Sequence, residues 1–161
     1  MGNFFFILLL GLSFPVMAAG VNNSGLPVPR WVSLRSEEVN VRTGPGTRYP
    51  IQWVYRRDGM PVEVIEEFDL WRKIRDSDGT SGWVHKGMVQ SKRNIMIKSK
   101  DAQIMRSEPK EKARPILKAE PTVIGQLMEC NEEWCRVQIS GHKGWLEKKV
   151  LWGVYKADMF D

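Results

Sequence analysis

The side chains with which this 161-residue chain could attempt chemistry are few. Its only two cysteines, Cys130 and Cys135, stand five apart in "MECNEEWCRV", and its only two histidines are His85 and His142. A cysteine hydrolase needs a free thiolate beside a histidine, and a redox pair is more typically spaced C-x-x-C. A zinc centre needs at least three ligands, to which carboxylates could add. The cysteine spacing suits a hairpin that sets the two sulfurs opposite one another, so the leading expectation is a structural disulfide. In the chain-entropy picture so short a loop contributes roughly 2 kcal/mol. The sequence contains no G-x-x-x-x-G-K, G-x-S-x-G or H-E-x-x-H pattern, so nucleotide binding and common hydrolase chemistry find no support. The expectation is a protein that is not an enzyme, with no catalytic residues, no metal and no cofactor.

Residues suited to binding are more plentiful. The chain holds seven tryptophans. Tyr49 and Trp53 flank a loop opened by "VRTGPG", where a half-exposed aromatic ring can grip a peptide or sugar while its polar atom stays wet. Trp71 lies three residues before Ile74, so strict strand alternation sends the two to opposite faces and turns Trp71 outward or toward a bulge. His85 falls beside a turn. Arg42, at the edge of the Gly44-Pro45-Gly46 turn, could hold the loop or touch a ligand. Arg42, Tyr49, Trp53, Trp71 and His85 form the candidate ligand-binding set. Gly44 and Pro45 are expected to shape the turn through backbone freedom and rigidity, and Trp83 and Trp145 to close the fold from equivalent strand-entry positions.

The elements that must carry these residues read as β-strands. Beyond Trp31, short apolar runs alternate with turn signals, and no window sustains helical i, i+3, i+4 spacing. Strands are expected at residues 39–42, 51–55, 61–66, 71–75 and 81–84, with a hairpin turn through Asp78-Gly79. Five such strands in about 50 residues describe a small barrel. The second half repeats the pattern. Trp71 lies over Trp134, Ile74 over Val137, Gly82-Trp83-Val84 over Gly144-Trp145-Leu146, and Lys86 over Lys148. Upstream, Arg42-Thr43-Gly44-Pro45 lies over Arg106-Ser107-Glu108-Pro109, and Pro50-Ile51 over Pro115-Ile116. Ordered matches that include rare residues point to tandem duplication.

The expected organisation is a signal peptide over 1–18, a flexible lead-in over 19–34, one barrel over 35–91, a linker over 92–97, a second barrel over 98–153 and a tail over 154–161. The first twenty residues carry no charged side chain. Their apolar run, about 21 Å long as a helix from Phe4 to Met17, falls short of the roughly 30 Å membrane core. Val16-Met17-Ala18 offers a cleavage site, although the usual positive n-region is missing. The alternative is an uncleaved anchor; with cleavage, no stable membrane span remains. Export to the periplasm or the cell exterior suits the disulfide. The net charge of +5 is scattered, which argues against nucleic acid and fits either an anionic envelope or simple solubility.

The first half, "VNVRTGPGTRYPIQWVYRRDGMPVEVIEEFDLWRKIRDSDGTSGWVHKGMV", resembles the bacterial SH3-like (SH3b) family. The shared pattern consists of Asn40-Val41-Arg42-Thr43-Gly44-Pro45, then Gly59 through Val62 and Val64, then Trp71-Arg72-Lys73-Ile74, then Gly82-Trp83-Val84. The second repeat departs at Ile104-Met105-Arg106 and at Glu108, which replaces the turn glycine. The resemblance implies an all-β chain of two tandem, strongly bent antiparallel barrels, of a kind found in exported proteins and often appended to cell-wall hydrolases. It implies a non-enzymatic module engaging cell-wall peptidoglycan or peptide, or an envelope protein. A structural or assembly protein and, less readily, a cell-wall hydrolase are the alternatives. The survival of Arg106 in a repeat without the turn glycine favours a loop-holding role for Arg42.

Overall fold

A computed structural model describes residues 23–160, so the signal-peptide expectation lies outside the described residues. Two seven-stranded antiparallel sheets follow one another along the chain. The first holds β1 (Arg30–Leu34), β2 (Val39–Arg42), β3 (Ile51–Tyr55), β4 (Pro61–Phe68), β5 (Trp71–Arg75), β6 (Ser81–His85) and β7 (Val89–Gln90). The second holds β8 (Asn94–Ile97), β9 (Gln103–Arg106), β10 (Pro115–Ala119), β11 (Ile124–Cys130), β12 (Trp134–Ile139), β13 (His142–Glu147) and β14 (Leu151–Trp152). The strand orders are β3-β2-β6-β5-β4-β1-β7 and β10-β9-β13-β12-β11-β8-β14, the same order shifted by seven. A one-turn 3-10 helix precedes the last strand of each, at Lys86–Met88 and Lys148–Val150. No helix among the described residues is long and apolar enough to cross a membrane.

Alternation builds each core. Val39 and Val41 point inward and Asn40 outward, and Val62, Val64, Ile74 and Val84 join them. In the second sheet Ile95, Met105, Leu127, Val137 and Leu146 fill the same role. A bulge interrupts β4 between Val64 and Glu66, and another interrupts β11 between Leu127 and Glu129, at matching places. Along β5, Arg72 and Ile74 are buried while Trp71 and Lys73 on the other face are half-exposed. The Asp78-Gly79 turn forms, with Gly79 at φ 85° and Asp76 Oδ1 accepting from the N–H groups of Asp78 and Thr80.

Two boundaries differ from the sequence reading, and the structure also places the tail. Residues 30–34, placed in a flexible lead-in, form β1 and pair with β4 and β7. Residues 94–97, placed in a linker, form β8, all four of them buried. The tail beyond residue 153 packs onto the second sheet, where Phe160 bridges to Cys130. The reason is common to β1 and β8. Each is covered by its own barrel on one face and by the neighbouring barrel on the other, so neither shows the alternation that marks a half-buried strand.

The seam between the barrels is specific. The Trp31 ring meets Trp152 edge-on at 4.6 Å and Tyr155 at 5.2 Å. Trp152 Nε1 donates to Pro61 O at 2.9 Å, Asn94 Nδ2 to Gly59 O at 2.8 Å, and Arg57 to Thr122 O. Tyr155 Oη donates at 2.8 Å to Glu63, a carboxylate only 3% exposed that also accepts from Arg75 Nε at 3.0 Å. Burial, then this hydrogen bond, push the Tyr155 phenol well above its ordinary pKa. Ile124 of the second barrel reaches the first barrel's core.

Among the cross-links between the fourth and fifth strands, each barrel has one at the same place. Cys130 pairs in register with Cys135 and the two are joined in a disulfide. With Trp71 over Trp134, their counterparts are Glu67 and Arg72, likewise paired in register. Arg72 Nε lies 3.0 Å from Glu67 Oε1, Arg30 reaches the same oxygen, and Ser24 donates from N and Oγ at 3.0 and 2.8 Å. The Glu67 side chain is 0% exposed. Burial pushes its carboxyl up, but the hydrogen bonds from Arg30 and Ser24 prevail and hold it below the ordinary value. A carboxyl with a lowered folded pKa stabilises the fold above the unfolded pKa of about 4 and loses that contribution as pH falls through the folded value. Glu67→Gln leaves two guanidinium groups facing a neutral amide and should cost about 3 kcal/mol at neutral pH. In urea unfolding, the gap between the wild type and this variant should narrow at about pH 3, and an unchanged gap would contradict the assignment.

Candidate functional site

At one end of the second barrel the loop after its second strand, the turn between its fourth and fifth strands and its 3-10 helix converge. In the second repeat they enclose a groove of about 780 Å³. Its floor is the buried Trp134, the first residue of β12. Pro109 and Glu111 come from the β9–β10 loop, Glu132 and Glu133 from the β11–β12 turn, and Val154 and Tyr155 from the tail. A second hollow of about 480 Å³ continues over Pro109 and Trp134 toward Met159. The Cys130–Cys135 bond closes the turn that carries Glu132, Glu133 and Trp134, so a covalent link fixes one wall.

Four glutamates and four lysines line the groove, so its walls carry both signs of charge. Lys149 pairs with Glu147, and that hydrogen bond, aided by the nearby charges of Glu111 and Glu133, holds its ammonium above the ordinary lysine value. Glu111, Glu132 and Glu133 are exposed. A flat aromatic floor with charged walls can hold an extended chain by stacking, while the rim meets amines and main-chain donors. The sequence points to this groove only through the match of Trp134 to Trp71. The tail that walls it follows no pattern of the repeat.

The five residues expected to bind ligand separate into three groups. Trp71 and His85 occupy the place of Trp134 and Glu147 in the first repeat, ring against ring edge-on at 5.7 Å. His85 Nδ1 accepts from Gly87 N at 3.2 Å and caps the 3-10 helix, which leaves the ring hydrogen of neutral His85 on Nε2. Arg42 and Tyr49 build the loop. Arg42 donates from Nη1 to Tyr49 O at 2.8 Å and Thr47 O at 3.2 Å, and its counterpart Arg106 donates to Ala113 O at 3.0 Å. Trp53 stands edge-on to Tyr55 at 6.0 Å, and Tyr55 Oη donates to Asp76 at 2.7 Å, so this pair is tied to the distal β5–β6 turn.

The turn residues act for a different reason than backbone freedom. Gly44 does not take a positive φ. A Cβ on Gly44 would lie 2.5 Å from the Tyr49 ring, so the glycine makes room for that ring. In the second repeat Glu108 replaces Gly44 and Ala113 stands where Tyr49 would, so the need for glycine disappears together with the ring. Pro45 is half-buried in the same loop, Trp83 is buried, and Trp145 is half-buried on the equivalent strand.

The family model described as "Bacterial SH3 domain" matches residues 35–90 and again 99–153. The chain belongs to the bacterial SH3 domain family. The two matched segments correspond to the two barrels, each of which gains its first strand from residues outside its matched segment. No curated protein matches the chain. Among solved structures, NlpC2 from Trichomonas vaginalis is similar over 81% of this chain and 50% of its own, at 15% identity and a TM-score of 0.37. NlpC1 from the same organism is similar over 88% of this chain and 51% of its own, at 14% identity and a TM-score of 0.36. The chain thus spans about half the length of either structure.

Gly44→Ala should destabilise the first SH3 repeat by about 1–3 kcal/mol through overpacking against Tyr49. Adding Tyr49→Ala should leave the glycine substitution with little further cost, a coupling that a double-mutant cycle in urea measures directly. Additive costs would show that the glycine serves something other than the ring.

Proposed function

We propose that this bacterial SH3 protein is a non-enzymatic, exported binding module of the cell envelope that takes a cell-wall peptide along the groove over Trp134. The groove carries the proposal. It is long, floored by an indole, walled by a loop that Arg106 holds and a turn that a disulfide closes, and rimmed by carboxylates and lysines. These are features for gripping an extended peptide that has both amines and carboxylates. The joined cysteines offer no thiolate, and His85 Nδ1 is committed to a helix cap, which supports a binding role over a hydrolytic one. The disulfide and the family suit a location outside the cytoplasm. The positive net charge favours approach to an anionic wall, with the mixed charges of the rim then selecting among peptides.

The chain from residue 19 onward should sediment with purified peptidoglycan sacculi. Replacing the exposed Glu132 and Glu133 by Ala should weaken that binding by roughly tenfold, equivalent to about 1.4 kcal/mol. Failure to sediment at both low and high salt removes the cell-wall reading. Stoichiometric cross-linking to one envelope protein in place of the wall would favour an assembly role.

A further inference from the structure

Six large apolar side chains are exposed among the described residues, and three of them, Leu26, Phe68 and Leu70, gather at one tip of the first barrel. Phe68 ends β4 and Leu70 precedes β5, on either side of Asp69, which turns the chain at φ 48°. Leu26 is brought to this turn by Ser24. The Leu26 N–H donates to Ser24 Oγ at 3.2 Å, and Ser24 in turn donates from N and Oγ to the Glu67 carboxylate. Arg30 pins the same segment, donating to Pro27 O at 3.2 Å and to Glu67. The buried carboxylate therefore holds an apolar segment beside an apolar turn.

The equivalent turn of the second repeat is polar. Asn131, Glu132 and Glu133 stand where Phe68, Asp69 and Leu70 stand in the first. That turn lies against the chain's own tail: Cys130 N donates to Phe160 O at 2.8 Å, and Phe160 N to Cys130 O at 3.1 Å. Lys148 is only 8% exposed there, and its ammonium donates to the main-chain carbonyls of Lys156, at 3.2 Å, and Asp158. At the first repeat's tip the corresponding Lys86 is exposed, its main-chain N–H donating to Leu70 O at 2.8 Å. A polar turn thus serves the same scaffold, and folding alone does not call for Phe68 and Leu70, 58% and 41% exposed, or for Leu26 at 48%. An apolar patch rimmed by polar groups marks a surface for another body.

The occupant is indicated by what lies just upstream. The apolar run from Phe4 to Met17 ends seven residues before Ser24. Seven residues reach at most about 25 Å, so when that run enters a bilayer, the tip is held within this distance of the lipid. Tethering raises the effective concentration of lipid at the tip, and apolar side chains that would hold lipid only weakly by themselves can then seat it. The charged groups flanking the turn outside the Glu67 cluster balance. Lys86 opposes Asp69, and Lys73 pairs with Glu66 at 3.3 Å, which leaves apolar insertion to carry the contact.

We propose, on the reading of the chain as exported, that Leu26, Phe68 and Leu70 seat in the headgroup region of a lipid bilayer, so that the first barrel docks on the membrane from which the chain emerges.

The chain from residue 19 onward keeps both barrels and lacks the tether, so it isolates the tip. Sedimentation with sucrose-loaded vesicles of phosphatidylcholine and phosphatidylglycerol, titrated to several millimolar lipid, should show partitioning that persists at high salt. Phe68→Ser combined with Leu70→Ser should lower the partition coefficient by about tenfold or more. Leu26→Ser, outside the strands, should lower it independently, whereas Met159→Ser, 64% exposed in the tail, should leave it unchanged. Absence of partitioning overturns the proposal, as does equal partitioning of the Leu26, Phe68 and Leu70 variants. Loss of partitioning at high salt would mean adsorption through the net charge of +5 and would overturn it as well. A chain that sediments with sacculi but not with vesicles loses this inference alone. One that partitions through Phe68 and Leu70 but ignores sacculi loses only the cell-wall reading.

Discussion

Neither barrel can cover both faces of its own first strand. Barrels of this size bury little surface relative to what they leave in water, and β1 and β8 each present a second face that only the other barrel can shield. The seam answers that constraint with indole rings from both repeats and with Glu63, whose buried carboxylate is satisfied by Arg75 of its own barrel and Tyr155 of the other. A buried carboxylate is tolerated only with such partners. The tail is drawn to the seam because Tyr155 belongs to it, and once there it walls the groove and covers Lys148. The groove over Trp134 thus follows from how the barrels meet.

What the sequence made legible was whatever one barrel does alone. The strands between residues 39 and 85 have one wet face, so alternation reveals them, and the turn at Asp78-Gly79 announces itself by composition. The tandem architecture was readable because the tryptophans and strand-entry glycines recur in order. The outward placement of Trp71 followed from its three-residue offset from Ile74. β1 and β8 stayed hidden because "RWVSL" and "NIMI" are covered on both faces, a condition that depends on a partner surface distant in sequence. The groove was hidden for a related reason: its second wall is a tail that belongs to no repeat. The five candidate ligand residues share a neighbourhood in sequence, yet Trp53 is tied to the distal turn through Tyr55, and Arg42 is occupied by the loop it holds.

The two repeats have diverged by exchanging solutions to the same local problem. Where the first loop accommodates a tyrosine ring above a glycine, the second has lost both ring and glycine while keeping the arginine that ties the loop down. Where one repeat leaves a lysine in water beside apolar residues, the other buries it under the chain's own end. Each exchange leaves the strand order and the matching bulges untouched, so the scaffold stays constant while its surfaces become different.

The cross-link between the fourth and fifth strands carries this divergence into the chemistry of the surroundings. Glu67 with its arginines answers to protons and is indifferent to thiols, whereas Cys130–Cys135 answers to thiols and is indifferent to protons. Acidification of the medium therefore removes the cross-link at Glu67, while a reducing agent removes the one at Cys130–Cys135. The covalent clamp sits on the turn that walls the groove over Trp134. That wall keeps its cross-link through acid shifts that would release the equivalent one in the first barrel.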